Sequence, residues 1–146
     1  MENTMPKLLK QFFLSLTLLL TASHCLAGAG GELTPAVVHD LNPKYISLLE
    51  GESLHKQGDV YFFDVNTLEI WAEGYIPGAV FFNVKHWRDL LPKNKAAQMV
   101  FYCANRLCTA SVVAAREVMK LGYTNVMQMP DGIYGWRMSG RAHEVP

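Results

Sequence analysis

The chain has 146 residues, half of them hydrophobic, with 13 basic and 13 acidic side chains and a formal net charge of zero. That length suits one domain of ordinary size and leaves no room for a second core. Charge balance excludes a nucleic-acid or anionic-membrane partner held by long-range attraction.

The first segment reads as a removable leader. Lys7 and Lys10 precede an almost wholly apolar run over residues 12–21, and Cys25-Leu26-Ala27 offers small residues at the alternate positions a signal peptidase reads. The run is shorter than the roughly 18 residues that a membrane span needs. A signal peptide over 1–27 is therefore expected, with a periplasmic or secreted product and no membrane partner after its removal. His24 stands where a lipid-modified cysteine would require a small residue. Without Lys7, Lys10 and Glu2 the remaining chain has 11 basic and 12 acidic residues, so the balance holds. Of the three cysteines, Cys103 and Cys108 remain, in a compartment expected to be oxidising.

Residues 28–43 form an amino-terminal segment in which Thr34-Pro35 is a helix start, continued over 36–41 and stopped by Asn42-Pro43. A short edge strand is predicted over 45–48 and a helical turn or two over 49–56, before Gly58. Residues 60–65 and 98–103 are continuous apolar, aromatic and β-branched runs, the pattern of strands buried on both faces of a parallel sheet. Residues 79–84 and 125–129 predict two more. Between the last two strands, 109–121 places Ala110, Val113, Ala114, Val118 and Leu121 on one helical face, with Gly122 as the stop. Residues 137–146 show no strong pattern. Strands alternating with helices predict an α/β sheet covered on its faces.

Cys103 ends the apolar run 99–102 and begins a short polar loop that leads into the helix at Thr109. A thiol there meets free backbone N–H groups and the positive end of a helix dipole, which together favour a thiolate. Three further segments carry a resemblance. Asp64-Val65, then Trp71, then Gly74-Tyr75-Ile76-Pro77-Gly78-Ala79 resembles an Asp-Val-Arg, aromatic, Gly-His-Ile-Pro-Gly-Ala series with Asn66 and Tyr75 for the Arg and His. Val100-Phe101-Tyr102-Cys103 resembles a strand ending in a nucleophile. Leu121-Gly122-Tyr123, Asn125-Val126 and Asp131-Gly132-Ile133 through Trp136 resemble the closing Gly-Tyr, Asn-Val and Gly-Gly-Ile-x-x-Trp pattern, with Asp131 for the first Gly. On these residues the chain resembles the single-domain rhodaneses, a family of thiosulfate-type sulfurtransferases.

The resemblance implies an open parallel sheet with helices on both faces, as one rhodanese-like domain over 44–140. It implies sulfane sulfur carried as a persulfide on Cys103 and passed to a thiol, cyanide or protein acceptor, with thiosulfate or polysulfide as the donor and no cofactor. The loop Ala104, Asn105, Arg106, Leu107, Cys108 and Thr109 is then the substrate-binding segment. It departs from the family, which follows its cysteine with Arg, Gly and a closing Arg. Here Cys108 occupies the closing position and Arg106 is the one cation left.

Physically, the N–H groups of a six-residue loop can wrap a sulfur anion. Against that stands the inert, buried strand-end thiol common in cores. Cys108 is either a resolving thiol that discharges Cys103 into a disulfide or a small side chain filling a helix start. Arg106 either binds an anionic donor or is a solvated charge. Asp64 either faces the crevice at the strand ends or caps its own turn, and the cap is favoured. Tyr75 and His86 read as structural, and no metal site is read. Trp71, Trp87 and Trp136 read as core or lid aromatics. Two rival functions remain: a periplasmic dithiol redox protein using Cys103 and Cys108, and a non-catalytic sulfur-binding module. A phosphatase is disfavoured because no closing Arg grips an oxyanion.

Overall fold

A computed structural model describes residues 41–146. The predicted leader over 1–27 and the helix start at Thr34-Pro35 lie outside the described residues. In chain order the elements are β1 (Lys44–Tyr45), α1 (Leu48–Gln57), β2 (Val60–Asp64), α2 (Leu68–Glu73), β3 (Val80–Phe81), a 3-10 turn (Trp87–Leu90), β4 (Gln98–Tyr102), α3 (Ala110–Lys120), β5 (Val126–Gln128) and α4 (Gly132–Met138). The strands form one parallel sheet in the order β1-β5-β4-β2-β3. The strand that ends at Cys103 is thus the middle one.

Alternation along the strands explains their apolar sequences. Phe62, Val100, Tyr102 and Met127 point into a core shared with Ile46, Ile76, Ile133 and Trp136. Their neighbours Phe63, Met99, Phe101 and Val126 point into a second core with Phe82, Ala115, Val118 and Tyr123. A strand buried on both faces has no polar side to show, and each fully buried large side chain adds roughly 1.5–3 kcal/mol of transfer free energy.

Several boundaries differ from expectation. The first strand ends at Tyr45 because Ser47 and Glu50 form a capping box, the Ser47 hydroxyl accepting from Glu50 N–H and the Glu50 carboxylate accepting from Ser47 N–H, which starts α1 at Leu48. The predicted strand 79–84 keeps ladder geometry only at Val80–Phe81, although Phe82 N–H still donates to Asp64 O at 2.8 Å. The predicted face of α3 is rotated. Ser111, Ala115 and Val118 are its buried residues, whereas Val113 is 53% exposed. Two helices were not predicted. α2 is short, and α4 begins in a Gly-Ile-Tyr-Gly sequence of poor helix propensity, held by the burial of Ile133 and Trp136.

Candidate functional site

Cys103 follows β4 directly and is 1% exposed. Its carbonyl accepts from Ile133 N–H at 2.8 Å, and the Ala104 carbonyl accepts from Tyr134 N–H at 3.0 Å. The first turn of α4 therefore clasps the start of the loop. The clasp is close enough to need glycine at 132 on two counts. Gly132 has φ +62°, and a Cβ there would stand 2.3 Å from Cys103 O.

Beyond Ala104 the loop makes its own turn. Asn105 accepts from Leu107 N–H through Oδ1 at 3.0 Å and from Cys108 N–H through its carbonyl at 3.1 Å. Those two N–H groups, expected to wrap the sulfur, are thus committed to Asn105. Leu107 is 92% exposed at the tip, and Thr109 leads into α3, its carbonyl accepting from Val113 N–H. Arg106 is neither aimed at the sulfur nor solitary: its Nε and Nη2 donate to the two carboxylate oxygens of Asp131 at 2.6 and 3.0 Å.

The partners of the sulfur differ from the expected ring of backbone donors. Cys103 Sγ donates to the Cys108 carbonyl at 3.2 Å and lies 3.3 Å from Ser111 Oγ. Burial pushes the thiol up to about 11 and its interaction with Cys108 pushes the same way, while the hydroxyl and N–H of Ser111 pull against both. The expected thiolate is corrected accordingly: as described, the site holds a protonated thiol, because desolvation outweighs the donors that reach it. Cys103 and Cys108 are both free thiols.

Ser111 was missed in the sequence, where a hydroxyl on an amphipathic helix reads as its solvent side. Asp64 does cap its turn, Oδ1 accepting from Asn66 N–H at 2.8 Å. It is fully buried, and burial raises its pKa against the opposing pull of the Asn66 N–H and the Tyr102 hydroxyl. Tyr75 stacks on Trp71 with centroids 3.7 Å apart, and Trp136 belongs to the core. His86 is exposed just before the 3-10 turn. Among the described residues, no three His, Cys, Asp or Glu side chains group as metal ligands would.

A strand-end cysteine at the middle of a parallel sheet, followed by a loop and a helix, agrees with comparison to known proteins. The rhodanese-like domain family matches residues 47–139, and the chain belongs to that family. Among solved structures, a Bacillus halodurans protein is similar at 23% identity and a TM-score of 0.61, over 70% of this chain and 77% of that one. A Rhodopseudomonas palustris protein of unknown function, named a possible tyrosine phosphatase, is similar at 27% identity and a TM-score of 0.56, over 70% and 85%. The thiosulfate sulfurtransferase of Pseudomonas aeruginosa is similar at 18% identity and a TM-score of 0.59, over 70% of this chain and 20% of that one. No match to a curated protein sequence was found.

Proposed function

We propose that this chain is an exported sulfurtransferase that carries sulfane sulfur on Cys103. The observation that carries the reading is the placement of Cys103 at the carboxyl end of the middle strand, in a loop clasped by α4, within a rhodanese-like domain. In the first half-reaction the thiol loses its proton to solvent and the thiolate attacks the outer sulfur of the donor. With thiosulfate, the S–S bond breaks, sulfite leaves with the electron pair, and Cys103 becomes a persulfide. In the second, an acceptor thiolate, cyanide or a protein cysteine attacks the outer persulfide sulfur, and the Cys103 thiolate leaves. Neither step calls for a cofactor.

Intact mass of the protein before and after thiosulfate or polysulfide, with and without reductant, tests the reading. One added sulfur that reductant removes, absent in Cys103→Ser, is the expected result. No gain from either donor would overturn it. The export half is tested separately by amino-terminal sequencing of the native protein: a start near Gly28 is expected, and Met1 on a cytoplasmic protein would defeat it.

The closeness of the two free thiols favours a second reading, a dithiol redox protein cycling Cys103 and Cys108. The thiol titre of the isolated protein separates the two, a disulfide in the resting state belonging to the redox reading. A phosphatase is disfavoured by the loop, since its one cation is already paired with Asp131.

A further inference from the structure

Two buried polar side chains stand in line behind the sulfur, outside the loop. Ser111, on the first turn of α3, is completely buried with its Oγ 3.3 Å from Cys103 Sγ. Gln128 ends β5, is 4% exposed, and places its Nε2 2.9 Å from the same Oγ. Its Oε1 has no hydrogen-bond partner among the described residues, so the bond to Ser111 is what the side-chain amide makes. A buried amide satisfied on one side is costlier than an apolar side chain in the same place.

Chemistry fixes the direction of this chain. An amide nitrogen only donates, so Ser111 Oγ accepts, and the hydroxyl proton is left for the other heteroatom within reach, the sulfur. We propose that Gln128 is a positioning residue for Cys103: by donating to Ser111 it turns the Ser111 hydroxyl into a donor aimed at the sulfur. The inference rests on the reading of Cys103 as nucleophile. In loading, the sulfur attacks as a thiolate, and in discharge it departs as one. The ionisation that precedes loading and the departure in discharge both gather negative charge on Sγ, where a preset donor in a buried site stabilises it. The downward pull of Ser111 on the thiol has the sign this requires.

The test reads the ionisation of the thiol rather than sulfur transfer. The rate of Cys103 alkylation by iodoacetamide is followed against pH in the whole protein, in Ser111→Ala, in the near-isosteric Gln128→Met, and in the double variant, with folding checked by circular dichroism. The titratable and charged groups on the surrounding elements, Arg106, Cys108, Asp131 and Asp64, are the same in all four proteins. At neutral pH alkylation is expected to slow about tenfold in Ser111→Ala and about threefold in Gln128→Met, with both profiles displaced to higher pH. The double variant should be no slower than Ser111→Ala, because Gln128 acts through that hydroxyl. In the unaltered protein, the side-chain amide resonances of Gln128 should titrate with the midpoint of the Cys103 thiol. A folded Gln128→Met with an unchanged alkylation profile, or amide resonances that stay flat across the thiol midpoint, would overturn the proposal. Failure of every sulfur donor to load Cys103 would instead sink the transferase reading and leave this measurement intact.

Discussion

Arg106 and Asp131 meet as a two-point ion pair that spans 25 residues of sequence and joins the tip of the loop to the start of α4. Asp131 stands where the related pattern has glycine, so the carboxylate that occupies the loop's one cation is a feature of this chain. Freed of that partner, Arg106 would be available to a dianion such as thiosulfate. Asp131→Asn should therefore lower the KM for thiosulfate about two- to fivefold with little change in kcat, the modest size following from the exposure of the Arg106 side chain. A raised KM would mean that the pair's chief task is to hold the loop in shape.

Cys103→Ser should end sulfur transfer and keep the fold. The swap is nearly isosteric, and a hydroxyl can still donate to the Cys108 carbonyl. Persulfide detection by mass, beside circular dichroism of the same sample, checks both halves. Turnover retained in this variant would move the chemistry to Cys108.

Cys108→Ser should keep transfer activity. Cys108 accepts from the Cys103 sulfur through its carbonyl, which any residue supplies, its thiol pushes the pKa of that sulfur up, and in the variant no internal thiol would remain to discharge a persulfide into a disulfide. The measurement is multiple turnover in this variant. A protein that forms the persulfide once and then stalls would assign the working unit to the pair.

With its thiol held up at about 11, Cys103 should, on the proposed reading, load sulfur faster as pH rises, about tenfold per unit from neutrality toward that value, as the thiolate fraction grows. Its effect on stability has the opposite slope. A thiol whose folded pKa lies above its unfolded value of about 8.5 gives stability that is complete below the unfolded value and lost as pH climbs to the folded one. Loading rate and urea midpoint, measured together across that window, should therefore move in opposite directions. A pH-independent loading rate would contradict the protonated resting thiol.

Asp64 gives a test remote from the loop. Its pKa is raised by burial, so folding works against the charge of the carboxylate, and stability is greatest below the unfolded value and falls as pH rises through the folded one. Asp64→Asn keeps an acceptor for the Asn66 N–H and removes the buried charge. It should stabilise the protein by about 1 kcal/mol at neutral pH and by nothing in strong acid. Thermal melts at the two pH values decide it; a uniform loss at both would show that the carboxylate is needed as such.

The sequence carried the site's frame and concealed its wiring. The apolar runs that became β2 and β4 were legible because strands buried on both faces have nothing polar to show, and Cys103 was legible because it ends one of them. Ser111 was not, since the face of α3 drawn through Val113 and Leu121 left the hydroxyl at its edge. Gln128 reads as a polar interruption in a short strand, and its bond to Ser111 joins residues 17 positions apart. The pairing of Arg106 with Asp131 is likewise invisible, because each alone reads as an ordinary surface charge.

The clasp on Cys103 and Ala104 also orders events in the making of the protein. Both carbonyls are met by N–H groups thirty positions further along, so the loop takes its form only after β5 is paired and α4 has turned. Closing that interval draws on chain entropy which the loop's own turn cannot repay. A growing chain that has just displayed Cys103 therefore carries an ordinary, solvated thiol. The buried thiol with its raised pKa is a property of the finished domain, acquired with its last helix.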